Sequence, residues 1–236
     1  MPATIIVGAQ WGDEGKGRVV DDLASRAEVV ARYNGGDNAG HTVVAEGHTL
    51  GLHLVPSGIL NPRAVCLIGA GTVVNPLRLL EEFATLREAG IEVTPERLKI
   101  AAGAHLILPT HRALDGAQEQ ALGEQAIGTT ARGIGPTYAD KARRVGLRAA
   151  LMRDPEAFAA QARTLMIAHN EWLINLYHLK PQLIGTHVER LQEAAAQLAP
   201  YLVDGAALVA EALAAGKAVL CEGAQGTLLD LDRGTY

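Results

Sequence analysis

The stretch from Gly8 to Arg18, G-A-Q-W-G-D-E-G-K-G-R, constrains this chain more than any other. It follows the β-branched run Thr4-Ile5-Ile6-Val7-Gly8, which reads as a buried strand. It runs into a helix expected over residues 15–27, with Val19, Val20 and Leu23 at helical spacing. A strand feeding a glycine-rich turn and then a helix lets backbone N–H groups crowd around a phosphate, and the helix N-terminus adds positive potential. Lys16 stands where it can reach a terminal phosphate. The segment is not the standard phosphate loop, which needs G-x-x-x-x-G-K followed by Ser or Thr. Gln10 occupies the first glycine position, and Gly17 replaces the hydroxyl residue that would hold magnesium. A metal therefore needs another ligand, and Asp13 is the carboxylate inside the loop. The plainer reading is a tight structural turn carrying surface charges. Four glycines, an acid pair and a lysine within eleven residues argue against turning alone.

Strands and helices alternate after that loop. Residues 29–33 read as a second strand, residues 42–55 as a hairpin turning at Glu46-Gly47, and residues 64–68 as another buried strand. Asn75-Pro76 opens a helix, with a capping residue and a proline in the first turn, and Gly90 closes it. Short apolar runs at 98–100 and 106–108 precede a further helix near Thr110. Residues 149–215 are alanine-rich and helical. Phe158, Ala162, Leu165, Trp172, Leu176 and Leu179 mark one packing face. Val188, Leu191, Ala195, Leu198 and Leu202 mark another, after a break at Pro181. Lys217 to Cys221 returns to strand. The pattern predicts an α/β fold: a largely parallel central sheet with helices on both faces, a P-loop-like phosphate site and a helical insertion late in the chain. One incomplete domain over 1–236 is expected, with 1–148 and 216–236 as the sheet core and 149–215 as the insertion.

Three more segments carry chemistry. N-G-G-D-N-A-G-H, Asn34 to His41, follows the second strand, at the sheet edge where ligands of open α/β sheets bind. Asn38 offers an amide for base or phosphate recognition. His41 is a candidate proton donor or cationic stabiliser of phosphoryl transfer. The other histidines, at 48, 53, 105, 111, 169, 178 and 187, are assigned structural roles. I-G-T-T-A-R-G-I-G-P-T-Y-A-D-K-A-R-R, Ile127 to Arg144, suits a loop that binds oxyanions, and it also reads as a solvated basic loop. C-E-G-A-Q-G-T-L-L-D, Cys221 to Asp230, is a strand running into glycines, with Gln225 at the ligand edge.

Composition removes several classes. The net charge of −5 argues against a nucleic-acid binder. No apolar run approaches the ~20 residues that cross a bilayer. Met1-Pro2-Ala3-Thr4 lacks the basic-then-apolar pattern of a secretory signal. Cys66 and Cys221 are isolated in apolar, strand-like runs, so both read as buried free thiols in a reducing cytoplasm.

The phrases Q-W-G-D-E-G-K-G, G-G-x-N-A-G-H, G-T-T-x-R-G-I-G-P and E-G-A-Q-G-T-L-L-D occur in the order, and near the spacing, of adenylosuccinate synthetase, and the whole chain resembles that family's amino-terminal half. The resemblance implies a ligase of purine nucleotide biosynthesis. It would join IMP and L-aspartate at the expense of GTP, with Mg2+ (one per site) as cofactor, in a cytoplasmic homodimer that binds neither nucleic acid nor membrane. Asp13 would take the N1 proton of IMP and hold Mg2+, joined by the carbonyl of Gly40. His41 would stabilise the transferring γ-phosphate. The GTP phosphates would lie among Gly12, Asp13, Glu14, Gly15, Lys16, Gly17, Gly40, His41 and Thr42. Asn38, Ala39, Thr130 and Gln225 would hold IMP, and Arg144 would reach the partner subunit's IMP, the neighbouring Arg143 leaving that assignment open by one residue. The resemblance also implies that an aspartate-binding arginine loop and a guanine-reading lysine–aspartate motif lie beyond Tyr236. This chain alone would then lack parts of the site. Two other readings stay open: a kinase or small ligase of related fold, and a non-catalytic nucleotide-binding remnant.

Overall fold

The computed structural model describes residues 3–12, 14–38, 41–45, 48–126 and 128–235; the side chains of 41–45 and 48–50 are not among those described. Six parallel strands form the central sheet in the order β1-β10-β2-β5-β7-β9. They are β1 (Thr4–Gly8), β2 (Val29–Arg32), β5 (Val65–Ile68), β7 (Leu98–Ala101), β9 (Leu202–Val203) and β10 (Val219–Gly226). Two small pairs stand apart: the antiparallel hairpin β3 (His41–Ala45) and β4 (His48–Leu52), and the parallel pair β6 (Val73–Val74) and β8 (His105–Leu106). Ala45 pairs with His48, so the hairpin closes over two residues, as the sequence led us to expect; Glu46 and Gly47 themselves lie outside the described residues. The helices are α1 (Lys16–Ala24), α2 (Pro76–Glu88), α3 (Pro109–Leu122), α4 (Ile134–Arg143), α5 (Pro155–Asn175), α6 (Ile184–Leu198) and α7 (Gly205–Ala214).

Local chemistry explains the element ends. Asn75 caps α2 by accepting from the N–H groups of Leu77 (3.2 Å) and Arg78 (3.3 Å), and Gly90 leaves that helix at φ +77°. Asp154 caps α5 through Ala157, and Asp204 caps α7 through Ala206 and Ala207.

The two faces of the sheet are covered unequally. On one face α1, α2, α5 and α6 bury a single large core that includes Val30, Cys66, Ile68, Phe83, Leu98, Ile100, Phe158 and Leu191. On the other, Val29, Ala31, Leu67, Ala101 and Val219 meet only α7, through Leu208, Val209 and Ala212, among the described residues. Register places Ile5 beside Cys221 and Cys221 beside Ala31, so β1 shares this second face. There Ile5 is 63% and Val7 61% exposed. The sequence reading of β1 as a buried strand is therefore corrected: it is an edge strand, open on one side and over one face. No helix among the described residues is long and apolar enough to cross a membrane.

The late segment also differs in detail. Within 149–215 the strand β9 pairs with β7, and α7 packs on β7 and β10, so the last part of the helical stretch rejoins the sheet. The buried stripe of α5 is Phe158, Ala162, Met166, His169 and Leu173. Leu176 (65% exposed) and Leu179 (38%) fall off it, because α5 gives way to a turn after Asn175. Val188, Leu191, Ala195, Leu198 and Leu202 are all buried as expected. Cys66 is buried, and Cys221 is half-buried rather than enclosed.

Candidate functional site

Three of the four motif segments leave the carboxyl ends of adjacent strands, β1, β10 and β2, and hydrogen bonds knit them together. The hydroxyl of Thr227 donates to the Gly8 carbonyl (2.7 Å), and the N–H of Leu228 donates to that of Gln10 (3.0 Å). The Asn34 side chain accepts from the Ala224 N–H (2.9 Å). Gly12 (φ +120°) lies so close to the following strand that a Cβ there would stand 3.0 Å from the amide nitrogen of Gly226. Gln225 is half-buried at the same place, its Oε1 3.6 Å from where a Cβ on Gly35 would be.

The fourth motif arrives from the side. Tyr138, on α4, donates to the Gly71 carbonyl (2.7 Å) and accepts from the N–H of Gly35 (3.0 Å). Ile134 packs against Gly36 with Val73. Arg132 stands 3.8 Å from Asp37. The N–H of Gly133 is held by the Asp115 carboxylate (2.8 Å), which fixes the start of α4. So the structure brings all four segments to one edge of the sheet.

Within the first loop, Gly12 and Gly15 both adopt positive φ, +120° and +80°, which a residue with a Cβ tolerates poorly. Gly15 is the N-cap of α1. Lys16 is buried, and its ammonium donates to the Gly12 carbonyl (2.8 Å). Glu14 turns its carboxylate back over the loop. It accepts from the N–H groups of Gln10 (2.7 Å) and Gly12 (3.1 Å) and lies 3.6 Å from the Lys16 ammonium. The bond from Gly12 chiefly holds this carboxyl below its ordinary range. Gly17 lies in the first turn of α1.

In the second loop, Asn38 accepts from the N–H of Gly36 (3.1 Å), so its carbonyl oxygen braces its own turn. Asp13, Ala39 and Gly40 fall outside the described residues; His41 and Thr42 are placed only as backbone in β3, opposite Leu52 and Gly51. Thr130 is exposed, just before Ala131 at φ +50°. The structure separates the adjacent arginines. Arg143 lies over the Trp172 ring (4.4 Å to the centroid) and 3.5 Å from Asp140. Arg144 is exposed at φ +64°, with no ion pair among the described residues.

Two buried polar clusters escaped the sequence reading. The first centres on Arg32, which is 1% exposed at the end of β2. Its guanidinium donates to the carbonyls of His53 and Gly36 (2.6 Å to the latter). Burial draws its pKa down, and the carboxylates of Glu222 and Glu82 oppose that. Glu82 accepts from the N–H groups of His53 (2.8 Å), Leu54 (3.0 Å) and Val55 (3.1 Å). Arg32 and Glu82 thus grip the base of the hairpin from both sides. Asp37, 3% exposed, has one oxygen without a hydrogen-bond partner, and burial pushes its carboxyl upward against the pull of Arg132. It lines a cleft of about 350 Å³ with Gly51, His53, Arg78 and Glu82.

The second cluster is His111, Asp140 and His169, from α3, α4 and α5. Both histidines meet the same Asp140 oxygen through Nε2, at 3.1 and 2.9 Å. Three such groups would suit a metal by proximity, but hydrogen bonding argues otherwise. The N–H of Leu108 donates to His111 Nδ1 (2.8 Å), so the ring proton sits on Nε2, and a metal-ligating nitrogen must carry none. His169 Nδ1 meets the Thr110 hydroxyl (2.8 Å). The cluster is therefore a clamp joining three helices, and through α4 it fixes the third motif. Burial works against the Asp140 carboxylate, yet the bonds from both histidines outweigh it and hold the carboxyl well below its usual value. Burial also draws the His111 pKa down. Both folded values are depressed, so both contributions are complete above the unfolded values, about 3.9 for Asp and 6.5 for His, and fade as pH falls. We predict that unfolding free energy falls below about pH 6.5, and more steeply below about pH 4. Asp140→Asn should flatten the steeper limb in denaturant titrations across this range; an unchanged slope would show that the clamp contributes no acid sensitivity.

Comparison with known proteins follows the same outline. The family described as adenylosuccinate synthetase matches residues 5–236. The chain is 50% identical over 236 residues to the adenylosuccinate synthetase of Lactococcus lactis subsp. lactis, covering 100% of this chain and 54% of that protein. It is 49% identical to the Gloeobacter violaceus protein of the same name, covering 53% of it. The fully ligated adenylosuccinate synthetase from Plasmodium falciparum superposes with a TM-score of 0.88 at 34% identity, over 99% of this chain and 54% of that one. A succinoaminodeoxyadenylate synthetase from cyanophage S-2L shares the fold at a TM-score of 0.59 and 23% identity. The chain spans about half the length of the curated relatives it matches.

Proposed function

Because the chain belongs to the adenylosuccinate synthetase family, we propose that it supplies the phosphate- and IMP-binding part of a ligase that joins IMP and L-aspartate at the cost of GTP. The observation that carries this reading is the meeting of four motif segments at one edge of the sheet, where the two glycine loops, Gln225 and the start of α4 touch. That edge is where an open α/β sheet takes its ligands.

In this reading Asp13 removes the N1 proton of IMP. The electron pair moves to the 6-oxygen, which attacks the γ-phosphorus of GTP, and GDP leaves. His41 and Lys16 stabilise charge on the transferring group. The amine of aspartate then displaces phosphate from 6-phosphoryl-IMP, forming the C–N bond of adenylosuccinate and losing a proton. Gly12 to Gly17 cradle the phosphates, while Asn38, Ala39, Thr130 and Gln225 hold IMP. The Asp13 carboxylate and the Gly40 carbonyl are hard oxygen donors of the kind Mg2+ takes, and the ion would draw charge from the γ-phosphate. The resemblance places the enzyme in the cytoplasm.

The function also calls for a homodimer in which Arg144 serves the neighbouring IMP. Its exposure beside an engaged Arg143 supports choosing it of the two. The test mixes Arg144→Leu with Asp13→Asn, each made in the chain extended to the length of its relatives. Each mixed dimer holds one intact site, so adenylosuccinate formation should return in the mixture although neither variant makes it alone. Absence of recovery despite demonstrated subunit exchange would rule out sharing. Absence of adenylosuccinate from the unmutated enzyme given IMP, GTP, Mg2+ and aspartate would rule out the function itself.

A further inference from the structure

Glu14 does something in this loop that a phosphate-binding residue should not. Its carboxylate occupies the ground where a phosphate would sit. Two backbone N–H groups, from Gln10 and Gly12, point into the loop and end on Glu14. The buried Lys16 ammonium, the cation of the same cradle, lies 3.6 Å from its other oxygen. The pair fills the floor as well: a Cβ on Gly8 would stand 2.8 Å from Glu14 Oε2 and 2.9 Å from Lys16 Nζ. The cradle is thus assembled around an anion that the chain itself provides.

We propose that Glu14 is an internal stand-in for the phosphate of a nucleoside di- or triphosphate, and that this phosphate enters only by displacing it. The inference rests on the nucleotide reading above and names a regulation of that site. Charge balance supports it. Without an anion, two N–H donors and a helix N-terminus would face one another beside a lysine. A carboxylate satisfies them, with charge-assisted bonds at 2.7 and 3.1 Å. A phosphate offers more acceptor oxygens and more charge to the same donors, so it wins the exchange. Glu14 is solvent-facing, which leaves its side chain room to swing out. The loop therefore keeps its shape before nucleotide arrives, and affinity is reduced by the fraction of molecules in which Glu14 holds the cradle.

Removing the competitor should raise affinity. If the self-bound state holds about two-thirds to nine-tenths of the molecules, Glu14→Ala tightens GDP binding about 3–10-fold, and Glu14→Gln, which keeps the shape but loses the charge, less. GDP is titrated calorimetrically into the chain and both variants. In parallel, the amide proton shifts of Gln10 and Gly12 are followed against pH in the unliganded protein. In the wild type they should track a carboxylate titrating below the ordinary range, and in Glu14→Gln that response should vanish. Amides that ignore Glu14 overturn the contact. Wild-type binding with equal or weaker binding by Glu14→Ala overturns the displacement, and makes Glu14 a direct ligand or a bystander. No GDP binding by any of the three removes the nucleotide reading, and the displacement falls with it.

Discussion

Asp13→Asn, in the chain extended to the length of its relatives, is expected to lower turnover by about 10²–10⁴-fold through loss of the base alone. Weaker metal binding should add to that loss. The argument comes from the position of the residue and from the state of its neighbour. Asp13 lies between Gly12 and Glu14, in a loop where Gly17 replaces the usual metal-binding hydroxyl. Glu14 cannot cover for it, because that carboxylate is committed to the amides of Gln10 and Gly12. Asparagine keeps the shape and one oxygen, but it loses the charge and cannot take a proton at neutral pH. The measurement is the steady-state rate of adenylosuccinate formation at saturating IMP, GTP, Mg2+ and aspartate. Turnover within a few-fold of the wild type would remove Asp13 from both of its assigned roles.

Arg32→Met is expected to cost about 3–5 kcal/mol of stability, the usual consequence of removing one partner from a buried charge cluster. The side chain is 1% exposed, and it bonds the carbonyls of His53 and Gly36. Methionine fills a similar volume, so loss of packing contributes little, and the cost comes from the carboxylates of Glu82 and Glu222 left in an apolar setting. Equilibrium denaturation in urea measures it. Restoring charge balance separates this account from packing: Arg32→Met with Glu82→Gln should lose less than Arg32→Met alone. If the double variant is worse than the single by the full cost of Glu82→Gln, the charges do not interact and the account is wrong.

What could be read in advance divides along physical lines. The parallel α/β class, the capped start of α2 at Asn75 and the two-residue hairpin rest on local patterns, and the structure has them. The core face of α6 was equally plain, because a stripe at 188, 191, 195 and 198 is a property of the helix alone. The stripe on α5 was misplaced toward its end, where Leu176 and Leu179 continue an apolar spacing that the helix does not. β1 misled because β-branched residues mark a strand without saying what covers it. Arg32 was hidden at the end of the apolar run V-V-A-R, and Glu82 reads as one more surface acid on α2. Their burial is decided by elements far away in sequence. The same holds for His111 and His169, which are 58 residues apart and share one oxygen of Asp140. The role of Glu14 was also illegible: the motif marks it as part of a phosphate loop, and only the folded loop shows its carboxylate turned inward.

The strand order carries a consequence for how such a chain is made. β10 lies between β1 and β2, so the first and second strands of the sheet are separated in space by the last. Thr4 pairs with Leu220. On a ribosome adding about 5–20 residues per second, β1 waits on the order of 10–40 s for its only sheet neighbour among the described strands to emerge. Meanwhile β2, β5 and β7 are synthesised in order and can pair with their nearest companions, with α1 and α2 closing over them. The loop from Gly8 to Gly15 hangs from β1, and Thr227 and Leu228 secure it only after β10 is in place. Nucleotide is thus offered a finished cradle only at the end of vectorial folding, and a nascent chain stalled before Val219 carries the phosphate loop without the strand that holds it.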